Sequence, residues 1–405
     1  MLYLEQMRPH GRQLERDRGA LKPSSALQIP LSLYVHIPWC VHKCPYCDFN
    51  SHAVRAPLDH AAYVDALLSD LDHELARQPL PQVGSIFIGG GTPSLFDGPT
   101  IERLLQGVAQ RLVLDPEAEI TLEANPGTAE AANFAGYRAA GVNRLSIGVQ
   151  SLDDANLAAL GRIHSVAEAR NAYRLARDAG FDNINLDLMY GLPEQDMAAA
   201  LADLAGLITL GPEHISWYQL TLESNTLFHH RPPTLPDHDS LADMMDAGQV
   251  LLAQAGYLQY EISAYARSGR RCRHNLNYWQ FGDYLGIGAG AHGKLSAADG
   301  AVHRRSKQRQ PEAYLDRAAA GAVAGEREVS PAELPVEFFL NALRLPGGVP
   351  AELFEARTGL PLHRVAGPLS KAREIGLMME DPARLQPTER GLLYLNDLLA
   401  LFEPG

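Results

Sequence analysis

Six short runs of apolar and β-branched residues recur along the first half of the chain, and each run ends in polar or glycine-rich residues. They are SLYVHI (32–37), SIFIGGG (85–91), EITLEAN (119–125), RLSIGVQS (144–151), NINLDLM (183–189) and HISWYQLT (214–221). Between the runs, apolar residues repeat at helical spacing, as they do across 64–75. Alternating strands and helices predict an α/β fold with a parallel sheet. We expect an open, six-stranded partial β/α barrel, with a doubly wound sheet as the alternative.

The polar residues that end these strands are unusual in kind. In a parallel barrel, the residues at the carboxyl ends of the strands gather at one rim, where active sites are built. The predicted rim residues are Cys40–Cys47, Gly89–Thr92, Glu123, Asn125, Gln150, Asp187 and Gln219. Simple turns would supply Gly, Asn and Asp, but not Glu, Gln and a cysteine cluster. The rim is therefore predicted to carry the function.

The pattern changes in the second half of the chain. After Lys294 the alternation of strands and helices stops, and a charged, alanine-rich stretch (304–328) leads to a smaller, mainly helical region. A short pair of strands within 376–386 would give this region a winged-helix-like outline. It lacks a basic recognition helix, which favours packing or a protein partner over DNA. The predicted organisation is an N-terminal extension (1–30), a partial barrel (31–294), a connecting segment (295–334) and a C-terminal domain (335–405).

Composition and charge narrow the class of protein. The chain has 405 residues, 46% of them hydrophobic, which suits one large domain and a smaller one. Its formal net charge is −13 and no Lys/Arg tract forms a nucleic-acid patch, so nucleic acid is not an expected partner. Residues 1–30 contain no secretion signal, and no later window holds about 18 consecutive apolar residues. We expect a cytoplasmic protein, and peripheral membrane contact stays open.

Three of the four cysteines, Cys40, Cys44 and Cys47, lie in one short stretch. In a chain this long, the cluster indicates metal ligation in a reducing compartment rather than a disulfide framework. The histidines that could complete a tetrahedral zinc site are His36, His42 and His52. An iron–sulfur cubane held by three thiolates would instead keep one iron open for another ligand. The position of the motif after the first strand, among other polar rim residues, favours the cubane.

Other rim residues could hold a small polar ligand. Gly89–Gly91 would let a backbone approach a ligand closely, although a glycine run by itself is usually a turn. Glu123 and Asp187 are carboxylates at strand ends, suited to ribose hydroxyls or an ammonium group. Arg162 could bind a carboxylate through two hydrogen bonds, or could form an ordinary surface ion pair.

The motif CxxxCxxC after a first strand, followed by GGGTPS, resembles the radical S-adenosylmethionine (SAM) superfamily. The resemblance implies a 4Fe–4S cluster with three cysteine ligands and SAM at the open iron, cleaved to a 5′-deoxyadenosyl radical. The motifs YVHIPWC, GGGTPS, EANPG, SIGVQS, LGRIH and NLDLMYGLP are similar to the oxygen-independent coproporphyrinogen III oxidase family across nearly all of 32–405. The SAM contacts that this family implies are Tyr34, Gly90, Gly91, Thr92, Glu123, Gln150, Arg162 and Asp187.

Two features distinguish this chain from the oxidases themselves. The oxidases carry a further cysteine where this chain has Phe49, and their N-terminal extension is not recognisable in 1–30. CDFNSH and HNLNYW (274–279) instead resemble a sister branch, the HemW-type haem chaperones. That branch implies a protein that binds haem and passes it to acceptor haem proteins, including membrane-bound respiratory ones. The alternative is a radical SAM enzyme that oxidatively decarboxylates coproporphyrinogen III or a related tetrapyrrole. A homodimer stays open.

The segment 272–292 is the candidate for haem binding. A neutral imidazole of His274 could bind haem iron, and His292 could serve equally. Cys272 could be a thiolate ligand or a site of covalent attachment, or only a small buried apolar residue. The neighbouring aromatic pair could offer flat apolar surface to a porphyrin. The haem candidates are His274, Asn275, Tyr278, Trp279 and His292.

Overall fold

The computed structural model describes residues 29–127 and 133–403. The predicted N-terminal extension, 1–30, lies almost wholly outside the described residues. The described chain forms one large sheet with helices packed on it, followed by a mainly helical C-terminal region. No helix among the described residues is long and apolar enough to cross a membrane.

All six strands predicted from the sequence are present, and further strands join them. The strands are β1 Leu31–Ile37, β2 Trp39–Cys40, β3 His52–Ala53, β4 Val83–Gly90, β5 Leu114–Ala124, β6 Arg144–Gln150, β7 Ile184–Tyr190, β8 His214–Gln219, β9 Leu258–Glu261, β10 Ala264–Ala266, β11 Asp283–Ile287, β12 His292–Ser296, β13 Val302–Lys307, β14 Val323–Val329, β15 Val349–Pro350 and β16 Arg384–Leu385.

Twelve of these strands form a single sheet in the order β14-β13-β12-β11-β1-β4-β5-β6-β7-β8-β10-β9. From β11 to β8 every neighbouring pair is parallel. The predicted α/β fold with a partial barrel is confirmed, and β11 adds a seventh parallel strand to the expected six. Antiparallel strands extend the sheet on both sides.

Helices cross between the parallel strands and pack on the outer face of the barrel. The α-helices are α1 His60–Leu75, α2 Gly98–Ala109, α3 Phe134–Ala139, α4 Asp154–Ala159, α5 Val166–Asp178, α6 Met197–Leu210, α7 Leu227–His230, α8 His238–Gln254, α9 Arg273–Trp279, α10 Pro311–Arg317, α11 Leu334–Ala342, α12 Glu352–Thr358, α13 Ala366–Glu374, α14 Glu389–Leu393 and α15 Leu395–Ala400. Many begin with an Asp, Ser or Thr side chain that accepts a hydrogen bond from a first-turn N–H, which stabilises the helix start.

The barrel strands alternate between an apolar outer face and a polar inner face. On β1, Leu33 and Val35 belong to the core beneath the helices. Ser32 and His36 flank them along the chain and make hydrogen bonds inside the barrel. Successive strand residues point to opposite faces, so this alternation places polar side chains in the interior. Buried parallel strands are usually apolar on both faces, so a polar interior indicates space for a polar ligand.

The sheet continues past Lys294, where the sequence pattern predicted that the strands would stop. β13 pairs antiparallel with β12, and β14 pairs antiparallel with β13. β14, with the sequence VAGEREV, is an edge strand whose central side chains are exposed. Its polar composition suits an edge and lacks the apolar alternation that reveals a half-buried strand. The connecting segment 295–334 therefore contains two strands that the sequence pattern did not predict.

The C-terminal region is mainly helical, as predicted. Its helices α11 to α15 enclose a second apolar core, which also takes in Phe281, Val302 and Val329 from the sheet side of the molecule. The predicted strand pair is rearranged. β16 lies within the predicted range 376–386 but pairs with β15, which precedes that range. Met378 additionally forms an isolated bridge with Pro387. The shared core joins the C-terminal region firmly to the last strands of the sheet.

Candidate functional site

The three clustered cysteines lie on one loop at the carboxyl end of β1. Cys40 ends β2, and pairing of β2 with β3 closes the loop. Within it, the Cys47 N–H donates to the Cys44 carbonyl oxygen at 3.2 Å. Cys40 is buried, Cys44 and Cys47 are half-buried, and all three are free thiols. Burial raises the pKa of Cys47 to about 11 and also raises that of Cys40, so neither becomes a thiolate without a compensating charge.

Two of the three histidines that could complete a zinc site, His36 and His52, already contact other protein groups. The Nε2 atom of His36 lies 2.8 Å from the Asn50 carbonyl oxygen, and Nδ1 lies 2.9 Å from the Tyr34 hydroxyl. Both ring nitrogens are thus engaged. His52 lies 3.3 Å from the carbonyl oxygen of Arg309. In the part of the chain that the structure describes, no three His, Cys, Asp or Glu side chains converge on one metal ion.

The glycine run is required by packing against the cysteine strand. Gly90 has φ +117°, a left-handed value that favours glycine. A Cβ on Gly91 would lie 2.5 Å from the carbonyl oxygen of Trp39, the residue before Cys40. The N–H of Gly91 donates to Ile37, and the next N–H in the chain donates to Trp39, both at 2.7 Å. The run therefore holds β4 against the cysteine loop, a function that the sequence did not reveal.

Two carboxylates predicted for the rim face each other inside the barrel. The Gly90 N–H donates to Glu123 Oε2 at 3.0 Å. Burial, with a smaller effect of Asp187, raises the pKa of Glu123 to about 8. Burial likewise raises the pKa of Asp187, which accepts a 2.7 Å hydrogen bond from Asn185. Glu123 is therefore mostly protonated near pH 7 until a cation or donor approaches it.

Arg162 connects the cysteine loop with the polar rim. One guanidinium nitrogen lies 3.7 Å from the Cys44 sulfur. The other donates to Asn125 Oδ1 at 2.8 Å and to the Gly148 carbonyl oxygen at 2.9 Å. Asn125 in turn donates to Thr92 at 2.8 Å. This cation beside a sulfur is suited to stabilise thiolate charge or to bind a carboxylate.

The remaining residues predicted for SAM line the same interior. The hydroxyl of Tyr218 donates to Gln150 Oε1 at 2.8 Å, and Gln150 itself has φ +69°, a strained value for a non-glycine residue. The structure thus brings together all the residues that were predicted to contact SAM. They are Tyr34, Gly90, Gly91, Thr92, Glu123, Gln150, Arg162 and Asp187.

Several interior polar residues were missed by sequence reasoning. Buried Asn185 donates to Ser146 at 2.8 Å and accepts from His214 at 2.6 Å. The other ring nitrogen of His214 lies 2.7 Å from the Tyr260 hydroxyl. Arg144 is buried in the same layer. The signal that could have found them is the spacing of two residues between polar side chains at the start of each strand: Arg144 and Ser146, Asn185 and Asp187, and His214 and Ser216.

His274 lies inside the barrel, packed against aromatic rings of β1 and β4. It is 3% exposed, and its Nδ1 lies 3.3 Å from the hydroxyl of Ser85, near the start of β4. Its ring packs against Phe87, with the ring centres 5.0 Å apart. Burial, together with the nearby Arg144, lowers the pKa of His274 to about 3, so the imidazole is neutral and able to bind a metal.

The aromatic residues after His274 pack against protein. Tyr278 stacks on Tyr284, with 3.9 Å between the ring centres. Trp279 joins the C-terminal core and carries Arg344 over its face at 4.6 Å. Asn275 is half-buried on α9. In this conformation the two rings hold α9 in place and present no flat surface to a porphyrin.

The other histidine candidate lies on a neighbouring strand, outside the barrel interior. His292 begins β12, which runs antiparallel to β11, and it is exposed. It is close enough to His36 to influence its charge, so it lies near the cysteine loop. Cys272, in contrast, is fully buried 3.5 Å from Glu119, and burial raises its pKa to about 12. Cys272 is a neutral thiol remote from the other three cysteines.

The donor set fits an iron–sulfur cluster and a polar cofactor. Three soft sulfur ligands select iron–sulfur clusters over hard cations such as Mg²⁺. Arg162 lies beside one of these sulfurs. Asn125 accepts a hydrogen bond from Arg162 and donates one to Thr92, so this part of the site is polar. The interior next to the loop supplies carboxylate, amide and hydroxyl groups for the ammonium, carboxylate and ribose of a nucleoside amino acid.

Comparison with known proteins gives consistent results. A family model described as the radical SAM superfamily matches residues 34–205, and one described as the HemN C-terminal domain matches 329–394. The haem chaperone HemW of Escherichia coli (strain K12) is 52% identical over 92% of this chain and 98% of its own length. The mitochondrial radical S-adenosyl methionine domain-containing protein 1 of Bos taurus is 36% identical over 91% of this chain and 86% of its own. The solved coproporphyrinogen III oxidase HemN of Escherichia coli superposes with a TM-score of 0.79 at 23% identity, covering 93% of this chain and 90% of that one, which establishes the fold alone.

Proposed function

Because the chain belongs to the HemW family of radical SAM proteins, we propose that it is a haem chaperone, which binds haem and transfers it to acceptor haem proteins. The observation that carries this proposal is the likeness, along nearly the whole chain, to proteins named as haem chaperones. Phe49 supports the proposal as well. It stands where the oxidases carry a further cysteine, in a cysteine loop that otherwise resembles theirs.

Cys40, Cys44 and Cys47 would hold the 4Fe–4S cluster of this family. The amino and carboxylate groups of SAM would then lie at the open iron, with Arg162 beside the carboxylate and Glu123 and Asp187 inside the barrel. When bound, the cluster supplies one-electron chemistry. The chain itself orients the ligand and excludes water. Cys44→Ser should reduce the cluster absorbance near 400 nm to background after reconstitution, whereas Cys272→Ser, the matched control, should retain it.

We assign His274 as the first candidate for the haem iron ligand. Its neutral imidazole lies in a polar interior, and its Nε2 makes no hydrogen bond within the described residues. Because His274 is buried, haem must reach it through a movement of α9 or an opening of the barrel. His292 is the alternative, and its exposure near the cysteine loop would require no such movement. His274 is buried and His292 is exposed, so single substitutions of the two separate these alternatives.

The test is an anaerobic haem titration, followed by Soret absorbance, of the cluster-reconstituted protein. We expect about one haem per chain, a loss of affinity of at least tenfold in His274→Ala, and little change in His292→Ala. The reverse result would move the ligand to His292 and keep the chaperone. Absence of saturable haem binding in the wild type would contradict the chaperone proposal itself.

The second candidate function is oxidative decarboxylation of coproporphyrinogen III. The polar barrel interior favours it, because buried polar side chains beside a SAM site suit substrate as well as cargo. Phe49 disfavours it. Strictly anaerobic incubation with coproporphyrinogen III, SAM and a reductant distinguishes the two, since the chaperone proposal predicts no protoporphyrinogen. Formation of 5′-deoxyadenosine alone does not count as turnover.

We also propose that the acceptor binds the C-terminal region, where Leu393 and Tyr394 are exposed side by side. Removing 335–405 would expose the core that this region shares with the sheet, so point substitution is the better test. Leu393→Asp should slow haem transfer to an acceptor while leaving haem affinity unchanged. The exposed Val113→Asp, on the barrel, serves as the control. Membrane-bound respiratory acceptors, a cytoplasmic location with peripheral membrane contact, and a homodimer are further parts of this proposal.

A further inference from the structure

Arg144 is a buried cation whose guanidinium makes no hydrogen bond or close ion pair with the described part of the chain. The residue begins β6 and is only 2% exposed. Its Nε atom has no hydrogen-bond partner, and the guanidinium forms no ion pair at contact distance with any residue that the structure describes. A buried charge normally requires both pairing and hydrogen bonds, because removing it from water costs several kcal/mol. The unused donors of Arg144 therefore need an explanation.

A second unpartnered polar group lies beside it. Thr121 on β5 is in register with Arg144 on β6, so the two side chains lie on the same, inward face of neighbouring strands. Thr121 is fully buried, and its hydroxyl oxygen also lacks a hydrogen-bond partner. Two adjacent buried groups, a cation and a hydroxyl, are thus both left with free hydrogen-bonding capacity. Together they offer donors to one anionic ligand.

The carboxylates near Arg144 are already engaged elsewhere. Glu119 Oε1 accepts the N–H groups of Arg273 and His274 at 2.9 and 3.3 Å, which holds the start of α9. Asp187 accepts from Asn185. Both lie close enough to Arg144 to interact with its charge. They offset the charge of the guanidinium without accepting hydrogen bonds from it.

We propose that Arg144, assisted by Thr121, binds a propionate carboxylate of the tetrapyrrole cargo inside the barrel. This inference rests on the haem chaperone proposed above and deepens it. Arg144 is close enough to His274 to act on its charge, so an iron ligand and a carboxylate clamp occur in one chamber. A planar guanidinium is the side chain best suited to a buried carboxylate.

The carboxylate of SAM is a poor candidate for this site. Arg144 begins β6 and Gln150 ends it, so the two are separated by roughly 20 Å at about 3.3 Å per residue. Among the residues assigned to SAM above, Glu123 and Asp187 lie near enough to Arg144 to interact with its charge, but the carboxylate of SAM is expected at the cluster. The cysteines lie at the Gln150 end, where Arg162 already faces Cys44. SAM affinity should therefore be insensitive to Arg144, whereas binding of a tetrapyrrole acid should depend on it.

The test compares haem with haem dimethyl ester, whose propionates carry no charge, in anaerobic titrations of the cluster-reconstituted protein. Esterification should weaken binding to the wild type by roughly 10- to 100-fold, the effect of losing a hydrogen-bonded charge. Arg144→Met should weaken haem binding by a similar factor and leave ester binding and SAM binding unchanged. Thr121→Val, a substitution of nearly equal volume, should weaken haem binding by a smaller factor and should not affect the ester.

The outcomes separate this inference from the function on which it rests. A wild type that binds haem, with an affinity within threefold of that of Arg144→Met, overturns the carboxylate clamp and keeps the chaperone. A wild type that binds no haem overturns both. Weakened SAM binding in Arg144→Met would assign the guanidinium to SAM and also overturn the inference. If Arg144→Met does not fold, equal haem affinity in Thr121→Val and wild type is the overturning result.

Discussion

Lys307 is the centre of a buried ionic cluster that joins α1 to the end of β13. Its ammonium contacts Asp70 and lies 2.6 Å from Glu74 Oε1 and 2.8 Å from the Gly321 carbonyl oxygen. Asp70 also accepts from the Tyr314 hydroxyl at 2.8 Å. The Lys307, Asp70 and Glu74 side chains are no more than 2% exposed. These charges are therefore hardly screened by water, and their pairing is strong.

Replacing Lys307 by Met keeps a similar length but removes the cation. We expect the free energy of unfolding to fall by about 3–5 kcal/mol, the usual cost of breaking a buried pair and leaving a carboxylate behind. Burial raises the pKa of Asp70 to about 6 even with Lys307 present. In the variant, Asp70 should take up a proton at pH 7, so that no unpaired charge remains on it. The fall in the free energy of unfolding should therefore lie near the lower end of this range. Glu74 keeps its contact with Arg305.

Urea unfolding followed by circular dichroism at pH 7 measures this loss. Arg77→Ala is the matched control, since Arg77 pairs with Glu326 at the outer edge of the same cluster, where the two side chains are 39% and 32% exposed. That pair should contribute about 0–1 kcal/mol. Adding Asp70→Asn to Lys307→Met should cost less than the sum of the two single changes, because the second removes the orphaned charge. A loss below about 1 kcal/mol in Lys307→Met, with an unchanged urea dependence, would refute the reasoning.

Three further outcomes follow from the geometry of the site. Gly91→Ala should lower stability by about 1–3 kcal/mol and reduce cluster iron, because its Cβ would meet the Trp39 carbonyl oxygen, whereas Gly367→Ala, in open space, should do neither. In the SAM-free protein, the raised pKa of Glu123, about 8 against an ordinary 4.5, should make the free energy of unfolding fall by a few kcal/mol as pH rises between these values. Glu123→Gln should remove that decline in unfolding curves at pH 5 and pH 8, and an undiminished decline would exclude Glu123 as its source. Arg162→Met should weaken SAM binding at least tenfold in equilibrium dialysis while cluster absorbance persists; unchanged SAM affinity would exclude its assigned role.

Local patterns in the sequence were sufficient for the elements whose signal lies within a few residues. The six barrel strands were identified because each combines β-branched residues with polar endings. The cysteine motif was identified because its ligands lie within one loop. β13 and β14 were missed because a strand at or near a sheet edge buries little apolar surface, and its pairing depends on residues distant in sequence.

The sequence by itself was sufficient for the family, the cluster of three cysteines and the candidate rim residues, since these depend on residue type and short spacing. Only the tertiary structure decided where the haem candidates lie: His274 is buried near the start of β4, while His292 is exposed beside the cysteine loop. Although the two are separated by fewer than twenty residues in the chain, β11 carries the chain toward the rim that holds the cysteine loop, and His292 begins β12 just after the turn there. Arg144 likewise became a candidate only in the folded chain, because burial and the absence of a partner are set by long-range packing.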